Sequence, residues 1–172
     1  MYVESLRLAG LFLIKPKCFK DSRGYFFESW SRSAYEKEGM EAEFVQDNIS
    51  HSKKDVVRGL HYQRSPGQAK LVTAISGKIW DVAVDIRPES KTYGQWEGVE
   101  LSDENHWQFY IPIGFAHGYC VLSDSASVSY KVSSIYDPAE ERTLAWNDPT
   151  LAIEWPVMEP ILSERDLQGV LF

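Results

Sequence analysis

The sequence predicts a single all-β domain over residues 1–172, built as an antiparallel sandwich or barrel. Many short apolar segments recur at even spacing, separated by turns rich in Gly, Pro, Asp and Ser. Only two short segments have helical character, and the chain contains no repeats or low-complexity linkers. Since 44% of the residues are hydrophobic, a chain of this length can bury one substantial core.

Strands and turns alternate through the first third of the chain. Residues 1–16 predict one or two short strands, residues 21–24 a turn, and residues 25–30 a further strand. Residues 31–38 form the one early helix candidate, and Gly39 closes it because glycine suits the left-handed position after a helix.

The rest of the chain holds the remaining strands and a second helix. Residues 71–75 and 79–86 flank a Ser-Gly-Lys turn and predict a β-hairpin. Residues 119–122 and 128–132 are expected to pair with each other across another short turn. Ser163 begins a capping-box pattern, which predicts a short helix near the end of the chain. Further strands are predicted within residues 44–63, 96–101 and 107–111.

The composition limits the partners and the compartment. A net charge of −7 disfavours binding to nucleic acid or anionic membranes, so an anionic ligand needs a local cluster of basic groups. Cys18 and Cys120 are too few for a disulfide scaffold and indicate reduced thiols. No signal-peptide pattern opens the chain and no apolar run approaches a membrane span, so we expect a cytoplasmic protein.

One stretch, residues 44–70, concentrates the polar side chains that could carry chemistry. They alternate with apolar residues, which places them on strands of a packed sheet where they must face solvent or line a cavity. A cavity that holds a His, an Arg and a Lys is suited to an anion or to acid–base catalysis, because such bases are not buried without an anionic partner. The polar members of the stretch are Gln46, Asp47, Asn48, Arg58, His61, Gln63 and Lys70.

Two histidines carry the pattern of a metal-binding barrel without its full ligand set. The spacing from Pro112 to His117 (PIGFAH) matches one half of the cupin barrel signature. In the other half Gln63 stands where a second histidine is expected after His61, and no carboxylate follows at ligand spacing. Two histidines without a third good ligand make a poor divalent site, so the sequence predicts a cavity without a metal. His51 and His106 border turns and are expected at the surface.

Two further residues leave alternatives open. Tyr130 shares an interior strand face with Val128 and Val132, and it is either an ordinary core tyrosine or a proton donor in the cavity. Asp166 either closes the capping box with Ser163 or orients the ring of a catalytic histidine.

The ordered motifs of the whole chain resemble those of the dTDP-4-dehydrorhamnose 3,5-epimerases, the metal-free cupins of deoxysugar biosynthesis. The resemblance implies a cupin-type jelly-roll β-barrel with short peripheral helices. It also implies a homodimer in which residues from an early strand reach the partner's pocket. The matching blocks are DSRGYFFE (21–28), FVQDN (44–48), RGLHYQ (58–63), QAKLV (68–72), DVAVD (81–85), GVEL (98–101), IPIGFAHG (111–118), YK (130–131) and EPILS (159–163).

The resemblance assigns roles to individual residues. His61 resembles the base that removes the proton next to the sugar ketone, paired with Asp166. Lys70 resembles the cation beside the ketone oxygen, and Tyr130 the acid that returns a proton from the opposite face. Tyr136 and Phe19 are the candidates for stacking on the nucleotide base. Further substrate contacts are expected from Arg23, Phe26, Glu28, Gln46, Asp47, Asn48, Arg58, His117, Glu141 and Arg165, the last at a position where the family more often has Lys.

The implied chemistry is consistent with these side chains. A neutral histidine suits proton abstraction because its unperturbed pKa of about 6.5 is close to working pH, and a fixed charge at the enolate oxygen contributes about 3 kcal/mol to lowering the barrier. Three arginines would meet the diphosphate: Arg23, Arg58 and Arg165. The expected reaction converts dTDP-4-dehydro-6-deoxy-D-glucose to dTDP-4-dehydro-L-rhamnose. The alternatives are an epimerase that inverts a single carbon, a non-catalytic sugar-binding cupin and a metal-dependent cupin oxygenase.

Overall fold

The computed structural model describes residues 1–172 as a β-sandwich of two antiparallel sheets, with two short helices. A six-stranded antiparallel sheet faces a five-stranded one, and a separate two-stranded hairpin lies outside both. Neither helix has the length or the apolar composition that a bilayer-spanning helix needs. The elements are β1 (Tyr2–Ser5), β2 (Phe12–Lys15), β3 (Phe19–Asp21), β4 (Gly24–Phe26), α1 (Arg32–Glu36), β5 (Gln46–Lys53), β6 (Val57–Gln63), β7 (Lys70–Ser76), β8 (Lys78–Asp85), β9 (Trp96–Ser102), β10 (Gln108–Ile111), β11 (Phe115–Val121), β12 (Ser125–Val132), β13 (Glu141–Thr143) and α2 (Glu164–Leu167).

The strand order alternates between the two sheets. The six-stranded sheet runs β1-β2-β10-β7-β12-β5 and the five-stranded sheet β13-β6-β11-β8-β9, with every strand pair antiparallel. Consecutive strands therefore often lie in opposite sheets, as the jelly-roll expectation requires. A cluster of 16 buried apolar residues, which includes Phe109, Leu101 and Val72, packs between the sheets.

Both hairpins expected from the sequence are wrong, for the same reason. β7 pairs with β10 and β12, whereas β8 pairs with β11 and β9, so the chain changes sheets at Gly77. Gly77 has φ +72°, and a Cβ there would lie 2.1 Å from the carbonyl oxygen of Ser125, which explains why glycine occupies this corner. In the same way β11 and β12 lie in different sheets. A turn signal fixes where a chain reverses, but not which strand it then meets.

The structure contains both predicted helices, but the strand predicted near the start of the chain is shorter than expected. α1 falls within the expected 31–38 segment, and α2 begins after Ser163, whose hydroxyl accepts from the backbone N–H of Asp166 as its N-cap. The strand expected over 25–30 is shorter, since β4 ends at Phe26.

One expectation about surface histidines is also wrong. His51 is exposed, but His106 is buried with only 6% of its surface accessible. Its ring packs against both Tyr25 and Phe27, at centroid distances of 4.4 and 5.0 Å. His106 has φ +56°, which marks a tight turn. The turn signal was correct, but it could not show that the β4 region folds over this ring.

Two glycines bring the strands of the site together. A Cβ on Gly59, at φ +113°, would lie 2.6 Å from the Cα of Gly118, and one on Gly118 would lie 2.7 Å from the carbonyl oxygen of Arg58. Only glycine at both positions allows β6 and β11 to approach this closely. The β6–β11 register shifts just after the pair His117–His61, where the two histidines lie opposite each other.

Candidate active site

A cavity of about 360 Å³ lies between the two sheets and gathers most of the residues singled out from the sequence. The six-stranded sheet supplies Gln46, Asn48 and Ser50 of β5, Lys70 of β7 and Tyr130 of β12. The five-stranded sheet supplies Arg58 and His61 of β6, His117 and Tyr119 of β11 and Glu141 of β13. Loops and α2 add Gln68, Tyr136 and Arg165. His61 and Tyr130 therefore lie on opposite walls.

Asp166 lies behind His61 and fixes its ring. The Nε2 atom of His61 lies 2.6 Å from Oδ1 of Asp166, while Oδ2 accepts a hydrogen bond of 2.7 Å from Ser163. Despite the burial of Asp166, the hydrogen bonds from His61 and Ser163 lower the pKa of its carboxyl group, so it is ionised at neutral pH. A carboxylate can only accept, so a neutral His61 carries its proton on Nε2 and keeps the lone pair of Nδ1 free. Asp166 thus contacts both of the partners that the sequence left open, Ser163 and the ring of His61.

A second acid–histidine pair lies deeper in the barrel. The Nε2 atom of His117 lies 2.9 and 3.1 Å from the two carboxylate oxygens of Asp81, which is fully buried. Burial is the largest influence on both groups: it raises the pKa of Asp81 and lowers the pKa of His117, while their mutual attraction opposes both shifts.

Lys70 is an almost buried cation that spans the space between the sheets. Only 7% of its surface is accessible, and its Nζ donates a hydrogen bond of 3.1 Å to the carbonyl oxygen of His61 in the opposite sheet. Burial lowers the pKa of Lys70 to about 8, against the attraction of Asp81 and Glu141. The ammonium is therefore charged at neutral pH and available to an anion in the cavity.

Tyr130 retains its proton at neutral pH. Burial is the main cause that raises the pKa of its hydroxyl, and hydrogen bonds within the protein are not among the causes. Its ring packs against the core, and its neighbours in register on β5 and β7 are Asn48 and Val72. The Tyr130 hydroxyl is consequently a neutral donor on the wall opposite His61.

An ionic network borders the rim of the cavity. The guanidinium of Arg165 contacts Oε2 of Glu141, which also accepts a hydrogen bond of 2.9 Å from Tyr136. Nη2 of Arg165 lies 3.3 Å from Nε2 of His61. Arg58 is anchored by a bond of 2.9 Å from its Nε to Oγ of Ser52. Two guanidinium groups are thus at hand for an anionic ligand.

Gln63 has a structural task at the position where a metal-binding cupin would have histidine. Its Nε2 donates a hydrogen bond of 3.0 Å to Ser134, and its Oε1 accepts one of 2.7 Å from the backbone of Asp137. These bonds hold the loop that carries Tyr136. The structure contains no group of three or more His, Cys, Asp or Glu side chains placed to hold a metal ion.

Several of the expected contact residues lie outside this cavity. Asp47 points to the opposite face of its sheet and forms an ion pair of 2.9 Å with Lys131. The β3–β4 hairpin, where Phe19 pairs in register with Phe26, projects its side chains into solvent. Phe26 is 70% exposed and Phe19 54%, and the Arg23 side chain is 88% exposed. Glu28 follows the hairpin and is also exposed.

Sequence reasoning missed four residues of the site. Ser50 and Tyr119 lie two positions beyond Asn48 and His117 on the same strands, so the two-residue repeat of a β-strand could have found both. The hydroxyls of Ser50 and Tyr119 are 2.8 Å apart. Gln68 gave no signal of its own. Asp81 is a carboxylate within an apolar strand, and this pattern could have indicated a buried charge.

The comparisons with known proteins agree with one another. The family model described as dTDP-4-dehydrorhamnose 3,5-epimerase matches residues 5–172. An enzyme of that name from Shigella flexneri is 48% identical over 174 residues, which cover 100% of this chain and 96% of the relative. The relative from Methanothermobacter thermautotrophicus is also 48% identical, over 92% of this chain and 88% of its own.

Solved structures extend the likeness to the fold. RmlC from Legionella pneumophila, a dTDP-6-deoxy-D-glucose-3,5-epimerase in complex with dTDP-4-keto-L-rhamnose, has 47% identity and a TM-score of 0.96, covering 99% of this chain and 92% of its own. ChmJ from Streptomyces bikiniensis, a 3'-monoepimerase in complex with dTDP-quinovose, has 33% identity and a TM-score of 0.90, covering 96% and 85%. These neighbours bear out the cupin-type jelly-roll prediction. The chain belongs to the dTDP-4-dehydrorhamnose 3,5-epimerase family.

Proposed function

We propose that this protein converts dTDP-4-dehydro-6-deoxy-D-glucose to dTDP-4-dehydro-L-rhamnose by inverting C3 and C5, without a cofactor. One observation carries the proposal: His61, held by Asp166, and the protonated hydroxyl of Tyr130 lie on opposite walls of one cavity. Inversion needs a proton to leave one face of the sugar ring and another to arrive on the other face. The Legionella relative supports the substrate class, because its bound ligand is dTDP-4-keto-L-rhamnose.

His61 takes the proton from the carbon next to the ketone. Its Nδ1 lone pair is free, since Nε2–H is directed to Asp166 at 2.6 Å. The imidazolium that forms is stabilised by the ionised carboxylate behind it, as in other acid–histidine pairs. Asp166 does not line the cavity, so it acts through His61.

Lys70 and Tyr130 complete the step. The Lys70 ammonium stabilises the enolate oxygen, where negative charge develops in the transition state. Tyr130 then gives its hydroxyl proton to the opposite face of the carbanionic carbon, and exchange with solvent reprotonates the phenolate and deprotonates His61. Each inverted carbon therefore acquires a hydrogen from solvent.

The rim residues suit the nucleotide diphosphate. Arg58 and Arg165 offer planar, always charged guanidinium groups that bind phosphate oxygens through two parallel hydrogen bonds. Tyr136 lines the cavity and is 45% exposed, which supports a role in stacking on the thymine ring. Gln46 holds this loop by accepting a bond of 3.1 Å from the Tyr136 backbone and also donates 2.8 Å to Asn48, so both amides are held in place at the cavity wall.

Two single substitutions test the assignment of base and acid. His61→Ala and Tyr130→Phe should each keep the affinity for dTDP within about tenfold of the wild-type value while lowering turnover by at least about a hundredfold. The matched controls are His51→Ala, whose exposed ring forms a hydrogen bond with Ser127, and Tyr93→Phe, whose half-exposed ring packs against Phe172. Both controls should turn over normally. Normal turnover in His61→Ala and Tyr130→Phe would contradict the mechanism.

Inversion of a single carbon is the second candidate. The likeness to ChmJ, a 3'-monoepimerase, favours it, because a TM-score of 0.90 shows that one fold serves both outcomes. Both reactions need the same base and acid. The number of product carbons that take up deuterium from solvent separates them.

We propose further that the protein acts as a homodimer whose β3–β4 hairpin completes the partner's cavity. Exposed Phe19, Phe26 and Arg23 support this, since two bare aromatic rings beside a cation are unusual on a monomer surface. Glu28 and the stacking role of Phe19 then belong to the neighbouring site. A mixture of inactive His61→Ala and Arg23→Ala protomers should regain activity, because the mixed dimer contains one intact site. Random pairing predicts about a quarter of wild-type activity, and no recovery contradicts the shared site.

A cytoplasmic location is also part of the proposal. Cys18 and Cys120 are both free thiols, as expected in a reducing compartment. Burial raises the pKa of Cys120 to about 11, so this thiol stays protonated and unreactive.

A further inference from the structure

Ser50 and Tyr119 are two hydroxyl-bearing residues of the cavity that the proposed mechanism does not use. They belong to opposite sheets, Ser50 to β5 and Tyr119 to β11, and their hydroxyl oxygens lie 2.8 Å apart. Tyr119 has only 3% of its surface accessible and Ser50 is half-buried, yet both line the cavity. The bond between the two is the one hydrogen bond that either hydroxyl forms within the protein.

This pair of hydroxyls has hydrogen-bonding capacity left for a ligand. Each hydroxyl carries one proton to donate and two lone pairs to accept with. The bond between them uses one proton and one lone pair, so one O–H group remains without a protein acceptor, whichever residue donates. A ligand hydroxyl can accept from that O–H group and donate its own proton to the other oxygen. The pair is uncharged, so it matches a neutral hydroxyl, whereas a phosphate is better matched by a guanidinium.

The position of Ser50 on its strand shows which part of a ligand the pair would meet. Side chains two residues apart share a face of a strand, so Ser50 lies between Asn48 and Ser52 on the inner face of β5. Asn48 is in register with Tyr130 on β12. Ser52 accepts the hydrogen bond of 2.9 Å that anchors Arg58. The hydroxyl pair therefore lies between the proposed proton donor, Tyr130, and the anchor of the guanidinium that is proposed to meet the diphosphate.

The chemistry of a nucleotide-linked sugar identifies the group that belongs in this place. The diphosphate is attached to C1, and the proposed mechanism inverts C3 and C5. C2 lies between C1 and C3 and carries a hydroxyl group. The ring oxygen lies between C1 and C5, but it can only accept a hydrogen bond and would use half of what the pair offers. The C2 hydroxyl therefore fits the pair best.

We propose that Ser50 and Tyr119 are specificity-determining residues, which together bind the C2 hydroxyl of the sugar and select against sugars that lack it. The identity of this hydroxyl rests on the proposed function. A site built to hydrogen-bond a ligand hydroxyl discriminates against the analogue without it, because its own polar groups are then left unpaired.

Binding of unreactive ligands tests the recognition apart from catalysis. dTDP-glucose and dTDP-2-deoxyglucose have a hydroxyl group in place of the C4 ketone, so neither can form the enolate. In calorimetric titrations the wild type should bind dTDP-glucose about tenfold more tightly than dTDP-2-deoxyglucose. Tyr119→Phe removes one hydroxyl and keeps the ring, and its preference should fall below about threefold. A wild type without the preference, or an undiminished preference in Tyr119→Phe, overturns the proposal.

A matched control and a second variant separate recognition from loss of structure. Tyr110 is also a buried tyrosine, but it packs in the apolar cluster with Ile14 and Leu71, outside the cavity. Tyr110→Phe should keep the tenfold preference, and its loss there would assign the effect to general loosening of the structure and overturn the proposal. If Tyr119→Phe does not fold, Ser50→Ala removes the other hydroxyl from a half-buried position and should weaken the preference to the same extent. An unchanged preference in folded Ser50→Ala also overturns the proposal.

Turnover gives a result that a merely structural contact between the sheets would not give. Tyr119→Phe should lower kcat/KM for dTDP-4-dehydro-6-deoxy-D-glucose about tenfold, but for the 2-deoxy analogue of this substrate less than about twofold. Equal losses with both substrates assign the pair a structural role and overturn the proposal. If the wild type turns over neither substrate but still prefers dTDP-glucose, the epimerase function fails and the recognition of the hydroxyl stands. Normal turnover without any preference contradicts the recognition alone.

Discussion

Substitution of Asp166 by Asn tests how the base is held ready. Asp166 is 97% buried behind His61 and receives one hydrogen bond on each carboxylate oxygen, from His61 and from Ser163. Asn has the same shape but no charge. If the amide oxygen of Asn faces His61, the hydrogen bond is kept and only the charge is lost. If the amide nitrogen faces His61, it donates to Nε2, the ring proton moves to Nδ1, and the base has no lone pair for the substrate.

The expected loss of turnover can be estimated from these contacts. A buried hydrogen bond to a charged partner contributes about 1.5–3 kcal/mol, and the imidazolium that forms in the reaction depends on it. With a share of molecules in the wrong tautomer, turnover should fall about a hundredfold, or about 3 kcal/mol of barrier. KM should change less than threefold, because Asp166 does not reach the cavity.

The assay is steady-state turnover of dTDP-4-dehydro-6-deoxy-D-glucose, followed by NMR of the product. Ser163→Ala is the matched control: it removes the other bond to Asp166 and the N-cap of α2 but leaves the His61 contact. It should lower the unfolding free energy by about 1 kcal/mol and turnover by less than threefold. If Asp166→Asn turns over within threefold of the wild type, the pairing of His61 with Asp166 has no catalytic role and the reasoning is refuted.

Three further predictions concern the charge of the cavity, the rim and the backbone beneath the site. Because the pKa of Lys70 is lowered to about 8, the charged form is lost as pH rises through 8, so turnover measured between pH 7 and 10 should fall about tenfold per unit at the upper end; a level profile to pH 10 contradicts the role of Lys70. Arg165→Lys should keep KM within about threefold, whereas Arg165→Ala should raise it about tenfold, and equal KM values in the two variants would exclude a diphosphate contact. Gly59→Ala should lower the unfolding free energy, measured in urea, by more than about 3 kcal/mol, because its Cβ would lie 2.6 Å from Gly118. Gly24→Ala, which has open space around its Cβ, should cost only about 1 kcal/mol, and equal losses would contradict the close-packing account.

The architecture could be predicted because its signals are local. Short apolar segments, frequent turns and a capped final helix all follow from neighbouring residues, and the structure contains them. The pairing of the strands could not be predicted. Whether β7 continues into a hairpin or crosses at Gly77 depends on Ser125, which lies 48 positions further along the chain, and no local pattern contains that contact.

The residues of the site also fall into those that the sequence can reveal and those that it cannot. His61, Lys70 and Tyr130 carry polar groups on apolar strands, and that contrast is visible in the sequence. The burial of His106 is not visible, because it depends on Tyr25 and Phe27 folding over its ring.

The direction of the Asp47 side chain could also have been predicted from the sequence. Asp47 lies between Gln46 and Asn48 on β5, so the alternation of strand side chains places it on the other face. The match to the family motif had instead assigned Asp47 to the substrate contacts together with its two neighbours. The structure restores it, with Asp47 paired to Lys131 away from the cavity.

The central claim is that two carbons are inverted by proton transfer between opposite walls. The most direct measurement is 1H and 13C NMR of the product formed from dTDP-4-dehydro-6-deoxy-D-glucose in deuterated water. Transfer from His61 to solvent and from Tyr130 to the ring predicts one deuterium at C3 and one at C5, with both centres inverted. Deuterium at one carbon only would contradict the double inversion, and inversion without deuterium would contradict the proton-transfer mechanism itself.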